Sequence, residues 1–134
     1  MNIHTSGFFS TLVFFAVLTL SPTPVHAVKG VLESSVLYVL VESDSLPPPA
    51  TTGLYYGGCM AYLAKPISTA KPSLNCPSNW VSFSCDGTYA PKDAAYLMYD
   101  QAQLAWATKR PVSVVIDDTK KHKGYCFASR LDLK

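Results

Sequence analysis

The four cysteines of this 134-residue chain, Cys59, Cys76, Cys85 and Cys126, all follow an amino-terminal export signal, and no other feature constrains the fold as strongly. Phe8 to Leu20 is an apolar run, followed by Ser21-Pro22-Thr23-Pro24 and then the small-residue cleavage site Val25-His26-Ala27. The run is shorter than the ~20 apolar residues that cross a bilayer, and no later stretch approaches that length. The reading is a signal peptide over residues 1–27 and one mature domain over residues 28–134, secreted or periplasmic, with no membrane insertion. In an oxidising compartment an even number of cysteines pairs into disulfides. A zinc site would want a close C-x-x-C pair, whereas the narrowest gap here runs from Cys76 to Cys85. Two bridges are therefore expected, with no metal and no cofactor.

Removing 27 of 134 residues leaves 107, the length of a single domain. The 11 Lys and Arg against 9 Asp and Glu give a formal charge of +2, too balanced to imply nucleic acid or an acidic membrane as partner.

Five strand-like runs and one helix fill the mature chain. Val31 to Glu42 is rich in β-branched and aromatic residues and stops before Pro47-Pro48-Pro49. Leu54 to Lys65 is a second strand, with Gly57-Gly58 inside it as a bulge or close backbone approach. In Asn79 to Cys85, Val81, Phe83 and Cys85 alternate with Ser82 and Ser84, which predicts a half-buried third strand. The period then lengthens to about 3.6 residues over Pro91 to Thr108, with Pro91 at the first helical position and Asp93 in the first turn. Ala94, Leu97, Met98, Gln101, Ala102 and Ala105 form the predicted inward face, and Tyr99 lies away from it. Pro111 stops the helix. Val112 to Ile116 is a fourth strand, Asp117 to Gly124 a polar loop, and Tyr125 to Leu133 a fifth strand.

The element order β-β-β-α-β-β is that of the five-stranded oligonucleotide/oligosaccharide-binding (OB) barrel, so the expected fold is mainly β with one helix, an OB-like α+β domain. An α+β sandwich shares the order. Spacing alone allows three cysteine pairings. The barrel selects one: its antiparallel second and third strands set Cys59 opposite Cys85, and its parallel third and fifth strands bring Cys76 to Cys126.

The stretch from Lys92 to Leu133, an amphipathic helix followed by PVSVVIDD, a polar turn and YCFASRLDL, resembles the carboxy-terminal part of the B subunits of bacterial AB-type toxins. That resemblance implies an exported, disulfide-bonded barrel that assembles into rings and binds cell-surface sugars; it transfers no functional residue. The whole chain also resembles small exported bacterial proteins.

His122 is the one histidine left after the signal, which excludes a two-histidine acid–base pair. No G-x-S-x-G elbow is present, and bridged cysteines leave no thiol nucleophile. Asp117 and Asp118 are adjacent and so point to opposite sides of a strand, a poor catalytic dyad. The candidate binding residues are Asp117, Asp118, Lys121, His122 and Tyr125, around a loop that frames the ligand face of an OB barrel. The competing reading of that loop is a solvated turn, and a metal on Asp117, Asp118 and His122 would be repelled by Lys120, Lys121 and Lys123. Tyr38, Tyr55, Tyr56 and Tyr62 could line a carbohydrate face or cover the exterior; Trp80 and Trp106 read as core or interface. The run Val36 to Val41 is apolar on both faces, so one face needs a cover that the helix or a second subunit could supply, and a homo-oligomer is the favoured reading. The functional expectation is a non-enzymatic binding module for a glycan or a protein. The alternatives are a structural or accessory envelope protein and, less favoured, a secreted hydrolase.

Overall fold

The structure is a computed structural model that describes residues 28–42 and 56–134. The signal segment 1–27, the Pro47-Pro48-Pro49 stop and Tyr55 lie outside the described residues. The chain is mainly β with one helix. Its strands are β1 (Lys29–Ser34), β2 (Val36–Val41), β3 (Cys59–Leu63), β4 (Trp80–Ser82), β5 (Val112–His122) and β6 (Tyr125–Leu133), and the helix α1 (Lys92–Thr108) lies between β4 and β5.

All six strands belong to one sheet, in the order β1-β5-β6-β4-β3-β2. Every pairing is antiparallel except β4 with β6. The expected five-stranded closed barrel is thus corrected, among the described residues, to six strands in a sheet without a ladder between β1 and β2. The cause lies at Ser34-Ser35. The Ser34 hydroxyl donates to the Ser35 carbonyl (3.1 Å) and accepts from the Lys65 N–H (3.0 Å), while the Ser35 carbonyl accepts from the Ala64 N–H (2.9 Å). These bonds, one local and two to the end of β3, interrupt the ladder at Ser35 and split the predicted first strand in two.

Other bounds shift for similar reasons. Gly57 and Gly58 precede β3 instead of interrupting it, both in the left-handed region (φ 84° and 86°). A Cβ at Gly57 would fall 2.5 Å from the Ser82 hydroxyl and 2.6 Å from the His122 ring, so this approach admits glycine alone. The predicted polar loop after Ile116 is mostly strand, because β5 runs on to His122. Asp117 Oδ1 accepts from the Thr119 N–H (3.0 Å) and hydroxyl (2.6 Å), and this turn lifts the next residues out of the ladder between Asp117↔Phe127 and Lys121↔Cys126. Lys123 (φ 51°) and Gly124 (φ 87°) then close the hairpin, two left-handed residues as a type I′ turn requires.

The helix is where predicted, with Pro91 one position earlier as its N-cap, but it is rotated. Its buried residues are Ala95, Tyr99, Ala102 and Ala105. Ala94, Leu97 and Gln101, expected inside, face outward, with Leu97 63% exposed. An alanine stripe lets α1 lie close on β2, β3 and β6, and the Tyr99 ring fills the remaining space against Phe83, with centroids 6.4 Å apart. Leu63, Val81, Phe83, Val112, Val114 and Ile116 are fully buried in the same core cluster as the helix's Ala95, Tyr99, Ala102 and Ala105.

Two disulfides join Cys59 to Cys85 and Cys76 to Cys126, the pairing that the strand order called for. The register aligns Met60 with Ser82, so Cys59 faces Phe83, two residues short of Cys85. Ser84, at φ 61°, turns the chain back and brings Cys85 into reach. Among the described residues no helix is long and apolar enough to cross a membrane.

Candidate functional site

Cross-strand register builds an aromatic row on the sheet face away from the helix. Tyr38 of β2 pairs with Tyr62 of β3, which pairs with Trp80 of β4. Residues in such register share a face, and their rings meet: centroids are 5.9 Å apart for Tyr38–Tyr62 and 5.3 Å for Tyr62–Trp80, the latter edge-to-face. One rung along, Leu40 pairs with Met60. Across β4, Tyr125 at the start of β6 meets Tyr56 edge-to-face at 5.3 Å. Leu40, Tyr56, Met60, Trp80 and Tyr125 line a cleft of about 150 Å³. That is smaller than the ~300 Å³ at which drug-sized pockets begin, so the cleft fits one ring. Two phenols and an indole N–H supply polar groups at apolar walls.

A buried polar cluster stands behind this cleft. The Ser82 hydroxyl donates to the Tyr56 carbonyl (2.8 Å) and accepts from the Ser84 N–H (3.1 Å). The Ser84 hydroxyl gives its single proton to Asp86 Oδ1 (2.7 Å) and accepts from the Tyr89 N–H (2.9 Å). His122 Nε2 lies 3.0 Å from the same oxygen, so Nε2 carries a proton and donates it. Tyr89 covers the imidazole at 4.8 Å and donates its hydroxyl to the Lys121 carbonyl. Burial, the largest influence, pushes the His122 imidazole below its usual pKa, and Asp86 at 3.6 Å opposes this only in part. For Asp86, burial acts upward but is outweighed by hydrogen bonds from Thr88 and Ser84 and by the His122 charge, which hold the carboxyl below the usual range.

Serine, histidine and aspartate meet here without forming a catalytic relay. In a relay the carboxylate orients the far imidazole nitrogen and the serine oxygen is open to substrate. Here Asp86 takes the serine proton, and Ser84 is fully buried. The cluster braces Tyr56 and the β5–β6 hairpin.

The residues predicted from sequence disperse. Asp117 is 2% exposed, bonded to Thr119 and 3.7 Å from Lys29 Nζ. Burial again acts upward on it and is outweighed, mainly by Thr119, so its carboxyl is held low. Asp118 accepts from the Asn75 N–H (3.0 Å), and Lys121 donates to the Asn75 carbonyl (2.6 Å), so both fasten the loop that carries Cys76. His122 turns inward to Ser84. Tyr125 alone of the five lines the cleft. Among the described residues no three His, Cys, Asp or Glu side chains are grouped to hold a metal.

Leu40, Met60 and Trp80 carry no site signal in the sequence beyond apolarity; Leu40 and Met60 share one rung of the sheet, and Trp80 shares the next with Tyr38 and Tyr62. Strand alternation predicts a half-buried stretch with Ser82 and Ser84 on one side, whereas all of Val81 to Cys85 is buried. No family model, curated protein or solved structure matches this chain.

Proposed function

We propose that this chain is an exported, non-enzymatic binding module that seats one sugar ring in the cleft of Tyr56, Met60, Trp80 and Tyr125, with Tyr38 and Tyr62 extending the contact. The aromatic row across three strands carries the reading. A pyranose presents C–H groups on one face and hydroxyls around its edge, which suits ring faces rimmed by phenol and indole donors. The apolar Val36–Val41 run further supports self-association.

Glycan-array binding by the exported, disulfide-bonded protein tests this reading. We expect a restricted set of glycans, with affinity reduced about tenfold or more by Trp80→Ala and by Tyr125→Ala. A folded protein that binds no glycan would overturn it in favour of a structural or accessory envelope role.

A further inference from the structure

We infer that the open edge of β2 pairs antiparallel with β2 of a second copy, continuing the sheet across a two-fold axis. This names the surface of the self-association proposed above and rests on that reading. Among the described residues β2 has β3 as its single neighbour in the sheet. The Glu42 N–H donates to the Gly58 carbonyl (2.7 Å), which fixes the phase of the ladder: alternate residues Leu40 and Glu42 turn their backbone groups to β3, and Val39 and Val41 turn theirs to the open side.

The sequence of this edge selects its occupant. Val36–Val41 holds no charge, glycine or proline, the devices that keep edges from pairing. The other edge strand, β1, carries Lys29, Gly30 and Glu33, with Lys29 paired to Asp117 and Glu33 to Lys134 (3.2 Å). A β2–β2 contact therefore opposes no like charges, whereas a β2–β1 contact would bury ionic groups against apolar ones. Centring the axis on Val39 satisfies both constraints. It makes Val39 a hydrogen-bonded pair with Val39 of the partner subunit, and sets Tyr38 beside Leu40 of the partner subunit on the cleft face. The contact is isologous and closes at two. Val41, 62% exposed in one copy, is then covered. Because Leu40 also lines the cleft, the two clefts come to lie on one continuous face, where a branched glycan can engage both.

Sedimentation of the exported, disulfide-bonded protein over a range of concentration tests the pairing. The expected species is a dimer whose dissociation constant rises about tenfold or more in Val41→Lys and is unchanged in Leu97→Lys on the helix. A variant-free readout is amide exchange: Val39 and Val41 should be protected in the concentrated protein and lose protection on dilution. A monomer throughout, a larger ring, a dimer broken by Leu97→Lys, or fast exchange at Val39 and Val41 under all conditions would overturn the proposal. Loss of the dimer with intact glycan binding removes the edge contact alone, and an intact dimer without glycan binding removes the cleft reading alone.

Discussion

His122 illustrates how one residue is held against its own chemistry. An imidazole 8% exposed, donating to a serine that already gives its proton away, is kept neutral in the folded state below its ordinary pKa of 6.5. In the unfolded chain it protonates as pH falls through 6.5, while the folded protein resists. The unfolded state then binds more protons, so stability drops as pH falls below about 6.5. Asp86 and Asp117 behave differently: their folded pKa values lie below the ordinary 3.8, so the stability they contribute is present above that value and is lost as pH falls below it. Chemical-denaturation midpoints across pH should show two separate declines, and His122→Gln, which keeps an N–H donor without titrating, should remove the upper one. An unchanged decline near pH 6 in that variant would exclude His122 as its origin. None of this was legible in the sequence, where His122 reads as a loop residue among lysines; its burial depends on Gly57 and Ser84, remote in the chain and joined to it only by folding.

At the scale of elements, what the sequence made legible depends on whether a local rule had a rival. The fifth strand is observed at its predicted bounds, because the turn at Lys123 and Gly124 fixes its start. Helix α1 is observed with its predicted end but with a different face inward, because two stripes compete. Ala102 and Ala105 are buried as predicted and belong to both stripes; Leu97 and Met98 favour one by size, whereas Ala95 and Tyr99 form the other, and close packing of the alanines with Tyr99 prevails. The competition gives a paired test by thermal or chemical unfolding. Ala102→Leu should destabilise by about 1–3 kcal/mol, because a fully buried alanine has no room for three more carbons. Leu97→Gln should change stability by less than about 0.5 kcal/mol. The reverse order would restore the face that the larger side chains favour. Five strands became six for a related reason: Ser34 and Ser35 read as ordinary strand residues until their bonds to the end of β3 are seen.

For the molecule as a whole, the disulfides divide the task of holding the sheet. Cys59–Cys85 lies in the core beside Phe83 and ties the entry of β3 to the exit of β4, across a separation of 26 residues. Cys76–Cys126 spans 50 residues and ties the long β3–β4 connection to the start of β6, where Asp118 and Lys121 also grip Asn75. In the chain-entropy view the wider loop restrains the unfolded state more, though only logarithmically, and each bridge contributes about 2–4 kcal/mol. Position separates them more than loop length does. Cys59, Cys85 and Cys126 are buried, whereas Cys76 sits half-buried in a loop, so a reductant reaches the second bridge first. Mild reduction followed by mass-spectrometric mapping should therefore yield a species open at Cys76–Cys126 and closed at Cys59–Cys85. That species should lose about 2–4 kcal/mol, as should Cys76→Ser with Cys126→Ser, while glycan binding survives, because Tyr125 is still held by the β5–β6 hairpin and Tyr56 by Ser82. Removing Cys59 and Cys85 should instead disturb binding together with stability: Cys59 follows Gly57 and Gly58 directly, and the turn at Ser84 that positions Cys85 also anchors His122 behind the cleft. If the half-reduced protein loses glycan binding while its β5–β6 ladder remains protected from amide exchange, the outer bridge, and not the buried cluster, holds the cleft in shape.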